Sequence, residues 1–366
     1  MTEQCDIVIP VWNQLEITKN CFESLRKFTN YPYRLIVIDN GSDKPTSEYL
    51  KKCSDFFPSY KLIKFEKNMG FVKAVNSGLS EATAEFICLL NNDTLVTPGW
   101  LAEMIAVMYD EKIGVLNPSS NSWGQLPTDG DIQNYAKSLS PLKGKWQETG
   151  YCIGFCMMIR KSSLQEVGYL DEAYGVGYLE ETDFCRRLQS RGYLCAKAKA
   201  AYVFHLGGES FKKILNSRSM YENNLKLFNK KWGKSLRIAV ILGGIPVEED
   251  IIKINKMVLS ACRDSHAVAV YLRGAIHSAI FNDHASLRIY NLKNNLFNLM
   301  VCLHILSRQL KKKKGKDYNL VVVRNSYFYY LIKVLGKLFG FMVICNFDIA
   351  YAQDIWHKIS RKLGSC

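Results

Sequence analysis

The sequence predicts an α/β protein: a mostly parallel sheet flanked by helices, followed by a second, smaller α/β domain. Three observations carry that expectation. Short apolar runs at residues 5–9, 33–39, 60–65 and 86–90 have the length and character of strands buried on both faces. Between them apolar residues recur at helical spacing, as in Leu15, Cys21, Phe22, Leu25 and Phe28. Strand and helix alternate at the spacing crossover connections require, and such connections leave neighbouring strands parallel.

The first strand, 5–9, stops at Pro10, and a helix follows Trp12 and Asn13. The second, 33–39, ends in the turn-rich Asp39-Asn40-Gly41-Ser42-Asp43, and the third, 60–65, is followed by Asn68-Met69-Gly70. A helix burying Phe71, Ala74, Val75 and Leu79 leads to the central strand 86–90, which breaks off in Asn91-Asn92-Asp93-Thr94. A helix over 98–109 and a short strand at 113–116 come next. From 117 to 146 periodicity gives way to Ser, Asn, Gly, Pro and Asp, and a loop of that length inside a domain is usually functional or mobile. Residues 152–159 read as strand, 161–167 as helix, 180–191 as a helix capped by Gly192, and 200–204 as a last strand ending at His205. A helix with Tyr221, Leu225, Phe228 and Trp232 closes the first domain. The basic segment 230–234 sets the boundary, giving domains of 1–234 and 235–366. The second opens with a strand at 236–242, Gly243-Gly244 and a helix. Strands near 267–272 and 320–323, a helix near 327–339 and a strand at 341–346 follow.

A chain of 366 residues suits two domains, and 48% apolar residues supply two cores. The twelve cysteines are scattered singly inside apolar runs, which fits buried thiols in a reducing, cytoplasmic setting better than a disulfide framework. Cys152 and Cys156 have no second pair nearby, so a zinc site is not expected. No signal peptide opens the sequence, and no apolar run reaches the ~20 residues that span a bilayer. The net charge of +14 favours anionic partners such as nucleotides, nucleic acid or lipid headgroups. The basic residues form no aromatic-interleaved stripe, so nucleic acid is not expected. Lys311 to Lys314 read as a solvated loop or helix end. The helix at 296–310 ahead of them permits a peripheral membrane association at the inner face, or is an ordinary core helix.

Ligands of open α/β sheets bind at the carboxyl ends of the strands. Four such ends here carry polar groups: Pro10 to Asn13, Asp39 to Ser42, Asn91 to Asp93, and His205. Asp93, on a rigid strand end, suits a hard divalent cation and through it a diphosphate. The same residues also serve as a strand-to-turn cap. Asp39 can accept the N3–H of a uracil or thymine ring, or only cap its turn. Around Asn68, Gly70, Asn76 and Gly78, small residues let a ligand approach the backbone. Glu180, Glu181 and Asp183 crowd three carboxylates into one helix start. Complementing the helix dipole, worth about 0.3–1 kcal/mol, explains one or two of them. Repulsion among three raises at least one pKa towards that of a general base. His205, followed by Gly207-Gly208 and sharing a rim with Asp93, reads as a metal ligand.

Taken in order, these segments resemble the family 2 glycosyltransferases of the GT-A fold. They are Ile-Val-Ile-Pro-Val-Trp-Asn (7–13), Val-Ile-Asp-Asn-Gly-Ser (37–42), Asn-Met-Gly-Phe (68–71) with Asn76 and Gly78, Leu-Leu-Asn-Asn-Asp-Thr (89–94), Gly-Phe-Cys-Met (154–157), Leu-Glu-Glu-Thr-Asp-Phe-Cys-Arg-Arg-Leu (179–188) and His205. The bacterial rhamnosyltransferase-like branch looks closest, and the resemblance covers residues 4–232. It implies that Asp39 binds a pyrimidine, with Pro10, Val11 and Asn13 beside the nucleotide and Gly154 among the substrate contacts. Asn91-Asn92-Asp93 stands at the family's Asp-x-Asp metal motif. The first position is Asn, which makes Asp93 the principal ligand to Mn2+ or Mg2+, with His205 as a further metal or diphosphate contact. Glu181 falls at the place of the family's catalytic base, with Glu180 and Asp183 as the alternatives. The implied reaction is a metal-dependent, inverting displacement. It moves a sugar such as GlcNAc or rhamnose from a UDP- or dTDP-sugar to a hydroxyl of a glycan, lipid-linked saccharide or protein Ser/Thr. Residues 117–150 are placed to cover or admit the acceptor.

More weakly, residues 318–325 and 341–346 resemble the N-terminal half of a GT-B glycosyltransferase. On that reading 235–366 is a Rossmann-like half, either cut from a longer protein or kept for acceptor binding or assembly. Gly243-Gly244 lacks the remaining residues of a dinucleotide fingerprint. Two other classes compete: a catalytically weak carbohydrate- or nucleotide-binding scaffold, which Asn91 leaves open, and a sugar nucleotidyltransferase. The latter class carries a Gly-rich, Arg-containing loop where this chain has Pro10 to Gln14.

Overall fold

The computed structural model describes residues 5–127, 130–207, 217–243, 248–273, 281–292, 294–310, 317–324, 326–345 and 349–364. The chain divides into two compact units, Met1–Leu225 and Lys226–Cys366. The division falls before the expected boundary, inside the closing helix.

The first unit begins with β1 (Cys5–Val11), α1 (Leu15–Phe28), β2 (Tyr33–Asn40), α2 (Lys44–Lys52), β3 (Tyr60–Phe65), α3 (Phe71–Glu81) and β4 (Phe86–Leu90). It continues through β5 (Thr94–Val96), α4 (Trp100–Met108), β6 (Ile113–Ser119), α5 (Ile132–Ser138), β7 (Trp146–Thr149) and β8 (Cys156–Arg160). Then come α6 (Lys161–Val167), α7 (Glu180–Ser190), β9 (Leu194–His205) and α8 (Ser217–Trp232), which runs across the division. The sheet order is β3-β2-β1-β4-β8-β6-β9-β5, with β7 paired to β9. The strands from β3 to β4 are parallel, and β8 lies antiparallel between β4 and β6. Every residue of β1 and β4 is buried, as their unbroken apolar runs require.

Asp6 is the one charge inside β1. It receives both arms of Arg34 at 2.7 and 2.8 Å and the N–H groups of Thr83 and Ala84 at 2.6 and 2.9 Å. Burial pushes this carboxyl up, but the Arg34 and backbone donors outweigh it and hold the pKa below its usual value. Its stabilisation is therefore present above the unfolded pKa and fades as pH falls through the folded one. This cluster lies at the amino ends of the strands and secures the edge opposite the polar rim.

Gly78 belongs to packing, contrary to its place among the ligand-approach residues. A Cβ there would lie 2.4 Å from Val8 Cγ1 and 2.6 Å from Ile38 Cδ1, so the glycine seats α3 on β1 and β2. Gly78→Ala is expected to destabilise the fold by about 1–3 kcal/mol through overpacking, read as a lower denaturation midpoint with an unchanged m-value.

The segment 117–146 holds more structure than its composition suggests. Asp131 caps α5 by accepting from the N–H groups of Gln133 and Asn134, and β7 pairs antiparallel with β9. β9 itself is longer than expected, because Lys197 and Lys199 alternate with buried residues and mask its strand pattern. β5 is three residues long, too short to leave a periodic signal.

The second unit contains β10 (Arg237–Ile241), α9 (Glu248–Arg263), β11 (Ala267–Arg273), β12 (Leu287–Leu292), α10 (Phe297–Leu310), β13 (Leu320–Val323), α11 (Ser326–Phe339), β14 (Met342–Ile344) and α12 (Ile349–Gly364). Its five strands are all parallel, in the order β12-β11-β10-β13-β14. The first strand is central and the order reverses beside it, as in doubly wound sheets. α9 and α12 pack on one face, through Ile254, Val258 and Trp356, and α10 and α11 on the other. β12 and α12 escaped the sequence reading. Gly208, Gly244 and Lys311 to Lys314 lie outside the described residues. The eleven described cysteines are free thiols.

Candidate active site

The carboxyl ends of β1, β2, β4 and β9 surround a cavity of about 310 Å³. Of the expected site residues, Pro10, Val11, Asn68, Gly70, Asn91, Asn92, Asp93, Gly154, Glu180, Glu181 and His205 all line it. Four do not: Asn13, Asp39, Asn76 and Asp183.

Asn13 and Asp39 build the rim behind the cavity. Asp39 Oδ1 accepts the Ser42 N–H at 2.9 Å, and Asn13 accepts the Asp43 N–H at 2.7 Å. Asp39 is fully buried, yet its Oδ2 has no hydrogen-bond partner. Gly41 makes the turn possible: its φ is +71°, and a Cβ would fall 2.3 Å from the Lys67 backbone. Asn40, which the sequence did not single out, lines the cavity and ties β2 to the next loop. Its amide donates to Asn68 at 3.0 Å and accepts from the Met69 N–H at 2.8 Å. Asn76 instead clamps the Leu170 backbone, accepting at 3.0 Å and donating at 2.9 Å.

At the end of β4, Asn92 turns its amide into the protein, donating to Thr18 at 2.9 Å. Asp93 and His205 meet at the end of the antiparallel β5–β9 pairing, where Thr94 and His205 are register partners. His205 Nε2 stands 3.3 Å from Asp93 Oδ1, but the two are not aligned for a hydrogen bond and both remain buried without one. Asn91 Oδ1 is a third buried oxygen with no partner. The ring of His205 is held on its other side, with Nδ1 2.9 Å from Ser122 Oγ and its face stacked on Phe155 at 5.1 Å. Asn121 brackets the His205 backbone at 2.7 and 2.8 Å. An oriented imidazole, a carboxylate and an amide oxygen, all unsatisfied, form a donor set that fits a hard divalent cation. Among the described residues no cluster of three or more His, Cys, Asp or Glu side chains forms a metal site. The Asn91 oxygen is thus part of the fit.

Also lining the cavity, α7 begins under strain. Tyr178 and Leu179 both adopt left-handed backbone, φ 75° and 73°, conformations that cost non-glycine residues energy and gather at functional sites. Asn224 of α8 holds this turn by donating to the carbonyls of Tyr174, Gly177 and Tyr178 at 2.7–3.1 Å. The strained turn delivers Glu180 and Glu181 to the cavity. Burial, and then the neighbouring Glu181 charge, push the Glu180 carboxyl well above the usual range. Burial raises Glu181 to about 7, against its hydrogen bonds to backbone and to Glu180. Both carboxyls are therefore raised, and the pair gives up a proton on passing through neutrality. Asp183 points elsewhere. It is fully buried, accepts from Arg187 at 2.9 Å, and through Arg187 ties α7 to the carbonyls of Val167 and Tyr169.

Residues 6–168 match the sequence profile of glycosyl transferase family 2. Among curated proteins, the pre-mycofactocin glycosyltransferase of Mycobacterium tuberculosis is 25% identical over 210 residues, 54% of this chain and 42% of that protein. The low-salt glycan biosynthesis hexosyltransferase Agl10 of Haloferax volcanii is 23% identical over 218 residues, 56% of this chain and 68% of its own. The solved structure of S. aureus TarS (residues 1–349) with UDP-GlcNAc aligns with a TM-score of 0.47 at 17% identity, covering 61% of this chain and 65% of that one. The chain spans between 28% and 42% of the length of the first curated relatives it matches. With the strand ends, the cavity and the profile match in agreement, the first unit of this chain contains a glycosyl transferase family 2 domain over residues 6–168, built on a mixed α/β sheet.

Proposed function

We propose that this domain transfers a sugar from a UDP- or dTDP-sugar to an acceptor hydroxyl by a single inverting displacement, with Glu181 as the base. The observation that carries this reading is the pairing of two unlike groups on one cavity. A carboxyl raised to about 7 and the unsatisfied Asp93 and His205 line the same cavity. A divalent cation at Asp93, His205 and Asn91 would neutralise the diphosphate and make it a better leaving group. The buried Oδ2 of Asp39 supports a pyrimidine, whose N3–H is the donor that oxygen lacks. Trp12 and Phe71 add apolar wall to the cavity. Glu181 takes the acceptor proton as the hydroxyl oxygen attacks the anomeric carbon from the face opposite the diphosphate. One displacement at one carbon inverts its configuration. Tyr151, tilted against Trp123 with ring centroids 5.6 Å apart and within reach of the Glu181 charge, supports an acceptor approaching from that side.

A thermal-shift screen of UDP- and dTDP-sugars with and without Mn2+ tests this reading. A ligand that binds only the folded state raises the melting temperature, by RT ln(1 + [L]/Kd) in stability. The expected result is a shift for a pyrimidine nucleotide sugar that grows with Mn2+ and is followed by release of the free nucleoside diphosphate. Binding without release would point to a scaffold, and release of pyrophosphate to a nucleotidyltransferase.

A further inference from the structure

The helices α10 and α11 are apolar on both sides. Inward, Phe297, Val301 and Ile305 of α10 and Phe328 and Ile332 of α11 enter the core of the second unit. Outward, Leu296 in the turn just before α10 and Leu299, Leu303 and Leu310 on it are exposed by 54–66%. Their spacing puts all four on one stripe opposite the core-facing residues. On α11, Leu331, Val334 and Leu338 are also half exposed or more, flanked by exposed Lys333 and Lys337. A helix with apolar residues on two opposite faces normally has something on each side, and exposed large apolar side chains grouped along one helix face mark a binding face.

Charge decides between occupants. Neither helix contains an acidic residue, and the exposed charges on α11 are the two cations Lys333 and Lys337. A second copy would set this positive face against its own image. A bilayer of anionic phospholipid meets both features, taking the leucine stripe into the acyl boundary and the lysines among its phosphates. No helix of the described residues is long and apolar enough to cross a membrane, so these would lie on the surface. We propose that the α10–α11 face of the second unit docks on an anionic phospholipid bilayer. The inference is independent of the reaction proposed above.

Sedimentation of the full chain with vesicles tests it, using phosphatidylcholine alone and phosphatidylcholine mixed with phosphatidylglycerol. Binding is expected to the anionic vesicles only, weakening as salt is added. The double variant Leu299→Ser/Leu303→Ser is expected to lose roughly tenfold or more in partitioning, since two buried leucines are removed. Lys333→Gln/Lys337→Gln is expected to lose roughly tenfold on anionic vesicles while leaving the apolar stripe intact. All four side chains are exposed, so both variants are expected to melt with the parent, and the lysine pair reads the surface even if the serine pair folds poorly. Failure to bind anionic vesicles, equal binding by parent and variants, or a dimer in light scattering that the serine variant dissolves would each overturn the proposal.

Discussion

Glu181→Gln is expected to lower kcat by about a hundred- to ten-thousandfold while the donor-induced thermal shift is kept, because general-base removal of a proton contributes on that scale. Glutamine keeps the shape and one oxygen of the side chain but cannot take the acceptor proton. In the parent, kcat/KM should rise with pH through about 7 and then level off, since Glu181 is raised to that value by burial and acts only when ionised. Glu180 sets where that limb lies. Its hydrogen bond favours the Glu181 charge, so Glu180→Leu should move the limb upward, whereas Glu180→Gln retains an N–H donor and should hold it near its place. The same shifts bear on stability. A carboxyl raised in the folded state stabilises below its unfolded pKa, and that contribution is lost as pH rises through the folded value. Glu180→Gln is therefore expected to melt above the parent in alkaline buffer. A Glu181→Gln enzyme of undiminished kcat would remove the base from the mechanism, and a pH profile flat through neutrality would separate it from this carboxylate pair.

The strand ends were legible because parallel strands joined by crossovers must bring their carboxyl ends to one rim. Residues as distant as Pro10, Asn91 and His205 could thus be placed together from the pattern alone. Side-chain direction within that rim was not legible. Asn92 and Asn91 are neighbours of the same type, yet one amide is spent on Thr18 and the other oxygen is left bare. Asp183 shares a helix turn with Glu180 but answers to Arg187, a partner four residues on that any surface helix would offer. The supporting groups were invisible for a different reason. Asn40, Asn121, Ser122 and Asn224 act on groups distant in the chain, and no local periodicity announces a side chain whose partner, like the Tyr174 carbonyl for Asn224, lies fifty residues away. Gly78 was grouped with residues that let a ligand approach, and only the packing of Val8 and Ile38 says why it is glycine.

Asp93→Ala is expected to abolish the Mn2+-dependent part of the nucleotide-sugar thermal shift and to lower transfer about a hundredfold or more, as loss of a charged metal ligand removes several kcal/mol of charge stabilisation. The side chain makes no hydrogen bond that the fold depends on: its Oδ1 is unsatisfied, and the Leu206 N–H is taken by the backbone carbonyl. The variant should therefore fold, and its defect should be read in metal dependence. Asp93→Asn separates charge from shape. It keeps an oxygen beside His205 but removes the anion, so a hard cation should be held far more weakly even with the geometry kept. Ser122→Ala tests the support behind the site. With Nδ1 no longer held at 2.9 Å, the His205 ring loses its fixed orientation, and groups that orient a ligating histidine are worth about ten- to a hundredfold in metal affinity. Titrating Mn2+ at fixed UDP and following the melting temperature orders the three: parent tightest, Ser122→Ala weaker, both Asp93 variants without response. Glu181→Gln in the same titration should follow the parent, because Glu181 is not among the residues proposed to hold the metal. If the parent responds to the nucleotide sugar equally with and without Mn2+, the Asp93–His205 pair is a contact to the diphosphate itself, and the variants would then differ in donor affinity alone.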